Sequence, residues 1–97
     1  IDEIVSVPGI DIAAIAPMDL SVSMGLPGQR EHPDVLGAIA RAERTILDAG
    51  LWLGGMALST EEANAKIAAG YRFLIMGYDV MLIERAAAGL LNGLNNN

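Results

Sequence analysis

The sequence predicts an α/β fold built on parallel strands, and three observations carry that expectation. Apolar runs of strand length alternate with segments of helical period along the whole chain. The runs are close to unbroken, the pattern of parallel strands covered on both faces rather than of half-exposed strands. The composition, 53% hydrophobic and 19% charged over 97 residues, is too apolar for a disordered segment and sized for one small domain or a piece of a larger one.

Ile1 to Val7 places apolar residues at 1, 4 and 5, a short helical pattern that Pro8-Gly9 ends. Because this reads as the last turns of a helix and the first residue is Ile1 rather than Met, we expect part of a longer protein. Ile10 to Ala16 is the first strand. Pro17 to Glu31 is a long connection rich in Ser, Gly and Pro, of a length more often functional than filler. Pro33 suits the first turn of a helix, where its missing N–H is no loss, and Asp34 complements the positive helix end. Val35, Leu36, Ile39, Ala42, Ile46 and Leu47 form its apolar face, and Gly50 supplies a left-handed stop.

Leu51 to Ala57 is the second strand, in which Gly54-Gly55 marks a close backbone approach. Ser59 and Glu62 have capping-box spacing at the start of a helix that ends at Gly70. Arg72 to Met76 is the third strand. Asp79 then caps a last helix carrying Val80, Leu82, Ile83, Ala86, Ala87, Leu90 and Leu91, and the Asn95-Asn96-Asn97 tail is expected to fray. Trp52, Phe73 and the five methionines read as core. Strands alternating with helices imply parallel crossovers, with the strands side by side in chain order. Part of a (β/α)8 barrel and part of an open doubly wound sheet both satisfy this pattern. Three strands alone would leave a sheet face or both edges exposed.

Function classes narrow by exclusion. A formal charge of −6 with six scattered basic residues disfavours nucleic acid as a partner, and no apolar stretch is long enough for a membrane span. The chain has no cysteine, which removes disulfides, zinc–thiolate sites and thiol nucleophiles and allows a reducing compartment; a cytoplasmic location is expected. Ligands of parallel α/β folds bind beyond the C-terminal strand ends, so Pro17-Met18-Asp19-Leu20-Ser21 is the segment to inspect. Asp19 has two readings: an oxygen ligand for a hard cation, or a turn former accepting N–H groups from Ser21 or Val22. His32, the only histidine, reads as a cap or loop-packing residue before the Pro33 helix rather than as a base. Ser21 and Ser23 have no base nearby in sequence, and Gly25-Leu26-Pro27-Gly28 lacks the lysine and spacing of a phosphate loop.

Taken together and in order, Ile1-Asp2-Glu3-Ile4, Val7-Pro8-Gly9-Ile10-Asp11, Ile15-Ala16-Pro17-Met18-Asp19-Leu20-Ser21, Ser23-Met24-Gly25, Pro27-Gly28, His32-Pro33 and Ala69 to Asp79 resemble the C-terminal part of the HpcH/HpaI aldolases. The resemblance covers essentially the whole chain. It implies a (β/α)8 TIM barrel to which residues 1–97 contribute strands six to eight and their helices, the N-terminal part lying upstream. It implies a metal-dependent (class II) carbon–carbon lyase that cleaves 4-hydroxy-2-oxo acids to pyruvate and an aldehyde through a metal-stabilised enolate. In that reading Asp19 is a ligand of a divalent cation (Mg²⁺, Mn²⁺ or Co²⁺), and the backbone N–H groups of Met18 and Asp19 hold the substrate carboxylate. The second metal ligand (a glutamate), the histidine base and the substrate arginine belong upstream of Ile1, so this stretch holds no catalytic base and is expected to be inactive alone. A homo-oligomer, a hexamer in the family, with the last helix packed on a neighbouring subunit, is implied as well.

The sequence departs from the family pattern at Ala16, where glycine is usual, at Met18, where a small residue is usual, and at Gly54-Gly55, where Pro-Gly is common. Those departures bear on substrate size more than on reaction type. Two other functions remain compatible with the residues: a citrate-lyase-like enzyme using the same metal-assisted chemistry, and a non-catalytic barrel remnant acting in assembly.

Overall fold

The structure is a computed structural model and describes residues 1–94; the Asn95-Asn96-Asn97 tail lies outside the described residues. In chain order the elements are α1 (Asp2–Val5), β1 (Ile12–Ala14), α2 (Pro17–Ser23), α3 (Pro33–Asp48), β2 (Trp52–Met56), α4 (Thr60–Ala68), β3 (Tyr71–Ile75) and α5 (Asp79–Asn92). The three strands form one parallel sheet in the order β1-β2-β3, as the alternation predicts. β1 is shorter than the apolar run Ile10 to Ala16 that contains it, because only three residues pair with β2.

Local chemistry sets most element boundaries. His32 is the N-cap of α3, its Nδ1 accepting the Asp34 N–H at 3.1 Å, with Pro33 in the first turn. Ser59 Oγ accepts the Glu62 N–H at 3.1 Å, while Glu62 Oε2 reaches back to the Leu58 N–H, one residue before the position a standard capping box would serve. Gly50 closes α3 with φ +75°, as expected of a left-handed stop. Asp79 is a correction: Tyr78 occupies the cap position, and Asp79 lies inside the first turn with Oδ1 on the Val80 N–H at 2.9 Å.

α3 and α4 cover one face of the sheet. Ile46 of α3, Leu53 of β2 and Tyr71 of β3 form the core, with Val5, Ala13, Ile15, Leu51 and Leu74 packed around them. Tyr71 ties the layers together, donating its hydroxyl to Glu43 Oε1 at 2.7 Å while Lys66 of α4 sits 5.0 Å over its ring. Gly55 is what lets Tyr71 in: a Cβ there would stand 2.8 Å from Tyr71 Cε2. The close approach predicted for the glycine pair is thus real, and it serves an aromatic ring.

The opposite face is open, and here several expectations fail. The pairing jumps from Leu53↔Tyr71 to Gly54↔Phe73, leaving Arg72 as the extra residue of a bulge. A one-residue insertion inverts the alternation of side chains. Tyr71 and Leu74 therefore both reach the helical layer, while Phe73 lies beside Gly54, Ala14 and Ile12 on the other face. Trp52 and Phe73 are 52% and 42% exposed rather than core, and Ile12, Met56 and Ile75 are exposed with them. Of the five methionines only Met81 is buried. Leu36 and Leu47 of α3 are also partly exposed, so the buried part of that helix narrows to Val35 and Ile46.

α5 projects from this body. Its buried residue is Met81, which folds back onto Gly77, where a Cβ would stand 2.5 Å from Met81 Cε. Arg85 adds a hydrogen bond from Nη1 to the Leu58 carbonyl. Ile83 and Leu90 are 69% and 77% exposed. The molecule measures 60 × 28 × 22 Å with a radius of gyration of 16.7 Å. A compact chain of this length would have a radius of about 12–13 Å.

Candidate functional site at the C-terminal strand ends

The segment from Pro17 onward, expected as an irregular connection, contains a seven-residue helix. Ala16 is its cap, in extended conformation, and Pro17 opens the first turn. Proline contributes no N–H, and the first main-chain donor to find an intrahelical acceptor is Leu20, on the Ala16 carbonyl at 2.9 Å. The N–H groups of Met18 and Asp19 are therefore the first-turn donors left without an intrahelical partner. Asp19 itself is exposed and sits in that turn, where a carboxylate complements the positive helix end.

These residues line a hollow of 420 Å³ at the C-terminal ends of the strands. Ala14, Met56 and Ile75 give it apolar lining, and Pro17, Met18, Asp19, Arg30, Glu62 and Lys66 line it beside them. Lys66 Nζ is 3.8 Å from Glu62 Oε1, so those two charges offset each other. Among the described residues Asp19 and Arg30 have no ion-pair partner within 4.0 Å. A larger hollow of 470 Å³ lies at the opposite strand ends, lined by Ile10 to Ile12 and Gly50 to Trp52, with Asp11 as its one ionisable group. The smaller one, with its polar groups converging at the C-terminal edge, is the better candidate.

A third hollow, of 380 Å³, lies behind it, where Glu43, Tyr71 and Lys66 meet Arg30 and Glu31. Burial, and then the adjacent Glu43 carboxylate, hold the Tyr71 phenol well above its usual range, so it stays a hydrogen-bond donor and not a base.

Asp19 suits one position in the coordination shell of a hard cation: a carboxylate oxygen, solvent-accessible, with no cationic group of the described residues within 4.0 Å. Among the described residues no three of His, Cys, Asp and Glu cluster as a metal site, so the remaining ligands would have to come from outside them. His32 is not one of them, since its Nδ1 is committed to the α3 cap. Ser21 is no nucleophile either: its hydroxyl is fully buried and bonded to the Met18 carbonyl at 2.7 Å. Sequence reasoning placed Met18 and Asp19 and missed Arg30, Glu62 and Lys66. The i,i+4 spacing of Glu62 and Lys66 was a legible signal, whereas nothing local marked Arg30.

A parallel sheet whose strand order follows the chain, with helices between the strands, is an α/β architecture. The family model of the HpcH/HpaI aldolase/citrate lyase family matches residues 1–86. The 2-keto-3-deoxy-L-rhamnonate aldolase of Escherichia coli (strain K12) is 40% identical over 86 residues, which cover 89% of this chain and 32% of that protein. The crystal structure of a HpcH/HpaI aldolase/citrate lyase family protein from Burkholderia cenocepacia J2315 superposes with a TM-score of 0.86 at 35% identity, over 94% of this chain and 35% of that one. The citrate synthase SbnG superposes with a TM-score of 0.81 at 25% identity, over 94% and 37%. This chain belongs to the HpcH/HpaI aldolase/citrate lyase family. It spans about a third of the length of the curated relatives it matches. No helix among the described residues is long and apolar enough to cross a membrane.

Proposed function

We propose that residues 1–97 are the last three βα units of a (β/α)8 barrel whose complete form is a metal-dependent lyase of 4-hydroxy-2-oxo acids, releasing pyruvate and an aldehyde. The observation that carries this reading is the position of Asp19: the one acidic group on the Pro17–Ser23 helix, without an ion-pair partner, on the hollow at the C-terminal strand ends. The open sheet face with Trp52, Met56, Phe73 and Ile75 supports the barrel assignment, because a barrel interior would bury those apolar side chains. In the reaction the bond between the carbon bearing the hydroxyl and its neighbour on the pyruvate side breaks. The hydroxyl proton goes to a base outside residues 1–97, and the electron pair of the broken bond passes to the pyruvate fragment, which takes up a proton at that carbon to leave as pyruvate.

The residues of this chain bind and orient. Asp19 would hold the divalent cation through a carboxylate oxygen, and the N–H groups of Met18 and Asp19 would receive the substrate carboxylate. The cation, when bound, supplies Lewis acidity at the 2-oxo oxygen. Ala14, Met56 and Ile75 make part of the lining apolar, which strengthens each polar contact beside it. Met18, half exposed on the hollow, takes up room that a small residue would leave to substrate. A homo-oligomer goes with this reading, since the exposed apolar residues of α5 need a cover and a neighbouring copy would supply it.

A second reading has its own support in the likeness to the citrate synthase SbnG: a citrate-type enzyme handling the same kind of carbon–carbon bond. Assays of the complete barrel with pyruvate and short aldehydes, run beside citrate-type and acyl-CoA substrates, separate the two. In the aldolase assay Asp19→Ala should remove nearly all activity together with metal affinity. Wild-type turnover in that variant would overturn the role of Asp19.

A further inference from the structure

Asp19 rides on a short helix that packs on α3 and has a single fully buried side chain. α2 is seven residues long, too short to persist by its own hydrogen bonds, and its one buried residue is Ser21. A polar residue at 0% exposure is an unusual anchor for a two-turn helix, and what it bonds to explains it. Ser21 Oγ donates to the Met18 carbonyl at 2.7 Å and accepts the Gly28 N–H at 3.2 Å. The Ser21 carbonyl accepts the Leu26 N–H at 2.8 Å. One serine thus pins the Leu26–Gly28 turn to the helix through both its side chain and its main chain.

The Met18 carbonyl belongs to the same planar peptide unit as the Asp19 N–H. A hydrogen bond that fixes the carbonyl therefore fixes the direction of that N–H and the point from which the Asp19 side chain departs. The same turn leads two residues on to Arg30, which lines the same hollow as Met18 and Asp19. We propose that Ser21 is a positioning residue: a buried latch that sets the Met18–Asp19 peptide and the Leu26–Gly28 turn, which leads to Arg30, relative to each other. It touches neither substrate nor cation. The role assigned to Asp19 rests on the function proposed above; the latch does not.

Ser21→Ala and Ser21→Thr, the latter keeping the hydroxyl, test this in the full chain. Amide hydrogen exchange reads the latch, and Mn²⁺ alone, through paramagnetic broadening of the residues around Asp19, reads the site. In Ser21→Ala the Gly28 amide should exchange at least tenfold faster while the Leu53 and Ala57 amides of the sheet keep their rates. Broadening around Asp19 should then need severalfold more Mn²⁺, and Ser21→Thr should restore both readouts. Unchanged Gly28 exchange in Ser21→Ala overturns the latch. Faster Gly28 exchange with unchanged Mn²⁺ broadening overturns the positioning role and leaves a loop staple. Asp19→Asn serves as the control: if it broadens as the wild type does, the metal reading of Asp19 is what has failed.

Discussion

The two faces of the sheet are made of the same kinds of residue and meet opposite fates. On the helix side Leu53, Tyr71 and Ile46 exclude water completely or nearly so, and the Tyr71 hydroxyl finds Glu43. On the other side Ile12, Trp52, Met56, Phe73 and Ile75 stand exposed, with Arg72 stacked 5.5 Å over Trp52 as partial cover. Apolarity alone therefore does not tell which strand residues are core in this chain. What divides them is whether a helix in the same chain lies over them, and the bulge at Arg72 decides on which side Phe73 falls.

That contrast is open to direct attack by mutation. The largest effect should come from the covered face: Leu53→Ala should destabilise the chain by about 2–5 kcal/mol, as loss of a fully buried leucine does, read from urea denaturation. Gly55→Ala comes next, since its Cβ would meet the Tyr71 ring at 2.8 Å. The overpacking should cost about 1–3 kcal/mol, whereas Gly54→Ala, with neighbours at 3.2 Å on the open face, should cost less. An equal penalty at both glycines would contradict the difference between the faces.

Tyr71→Phe should cost about 1 kcal/mol for the lost hydrogen bond to Glu43. It also carries a pH signature. Folding raises the Tyr71 pKa above its ordinary 10.0, so the folded state favours the neutral phenol. Its contribution to stability is whole below that value and is lost as the pH rises through it toward the higher folded-state value. Wild type should lose stability in that alkaline range, and Tyr71→Phe should lose less. Phe73→Ser, on the open face, should change stability least, within about 0.5 kcal/mol, while reducing binding of a hydrophobic dye and self-association. A large loss of stability there would mean that the open face is covered in solution.

The placement of Met18 and Asp19 at the strand ends was legible in the sequence. Asp19 and Met18 lie where the rule of C-terminal strand ends puts them, and His32 takes the cap that its place before Pro33 suggested. The short helix α2 was not legible, because Pro, Ser and Gly around it are turn-forming residues and seven residues give too little periodicity to recognise. Arg30 was invisible for a different reason: it reaches the hollow only through the turn that Ser21 holds.

The sequence by itself determined the order of the strands and of the longer helices, the caps at His32 and Ser59, and the glycine pair that admits an aromatic ring, because spacing, capping chemistry and the absence of a side chain act locally. Only the tertiary structure decided which apolar strand residues are buried, that α5 stands away from the body, and that a buried serine ties the Asp19 helix to the loop. Those outcomes depend on which surfaces meet across the fold and on a one-residue bulge that inverts a strand, and neither is written in the local pattern of residues.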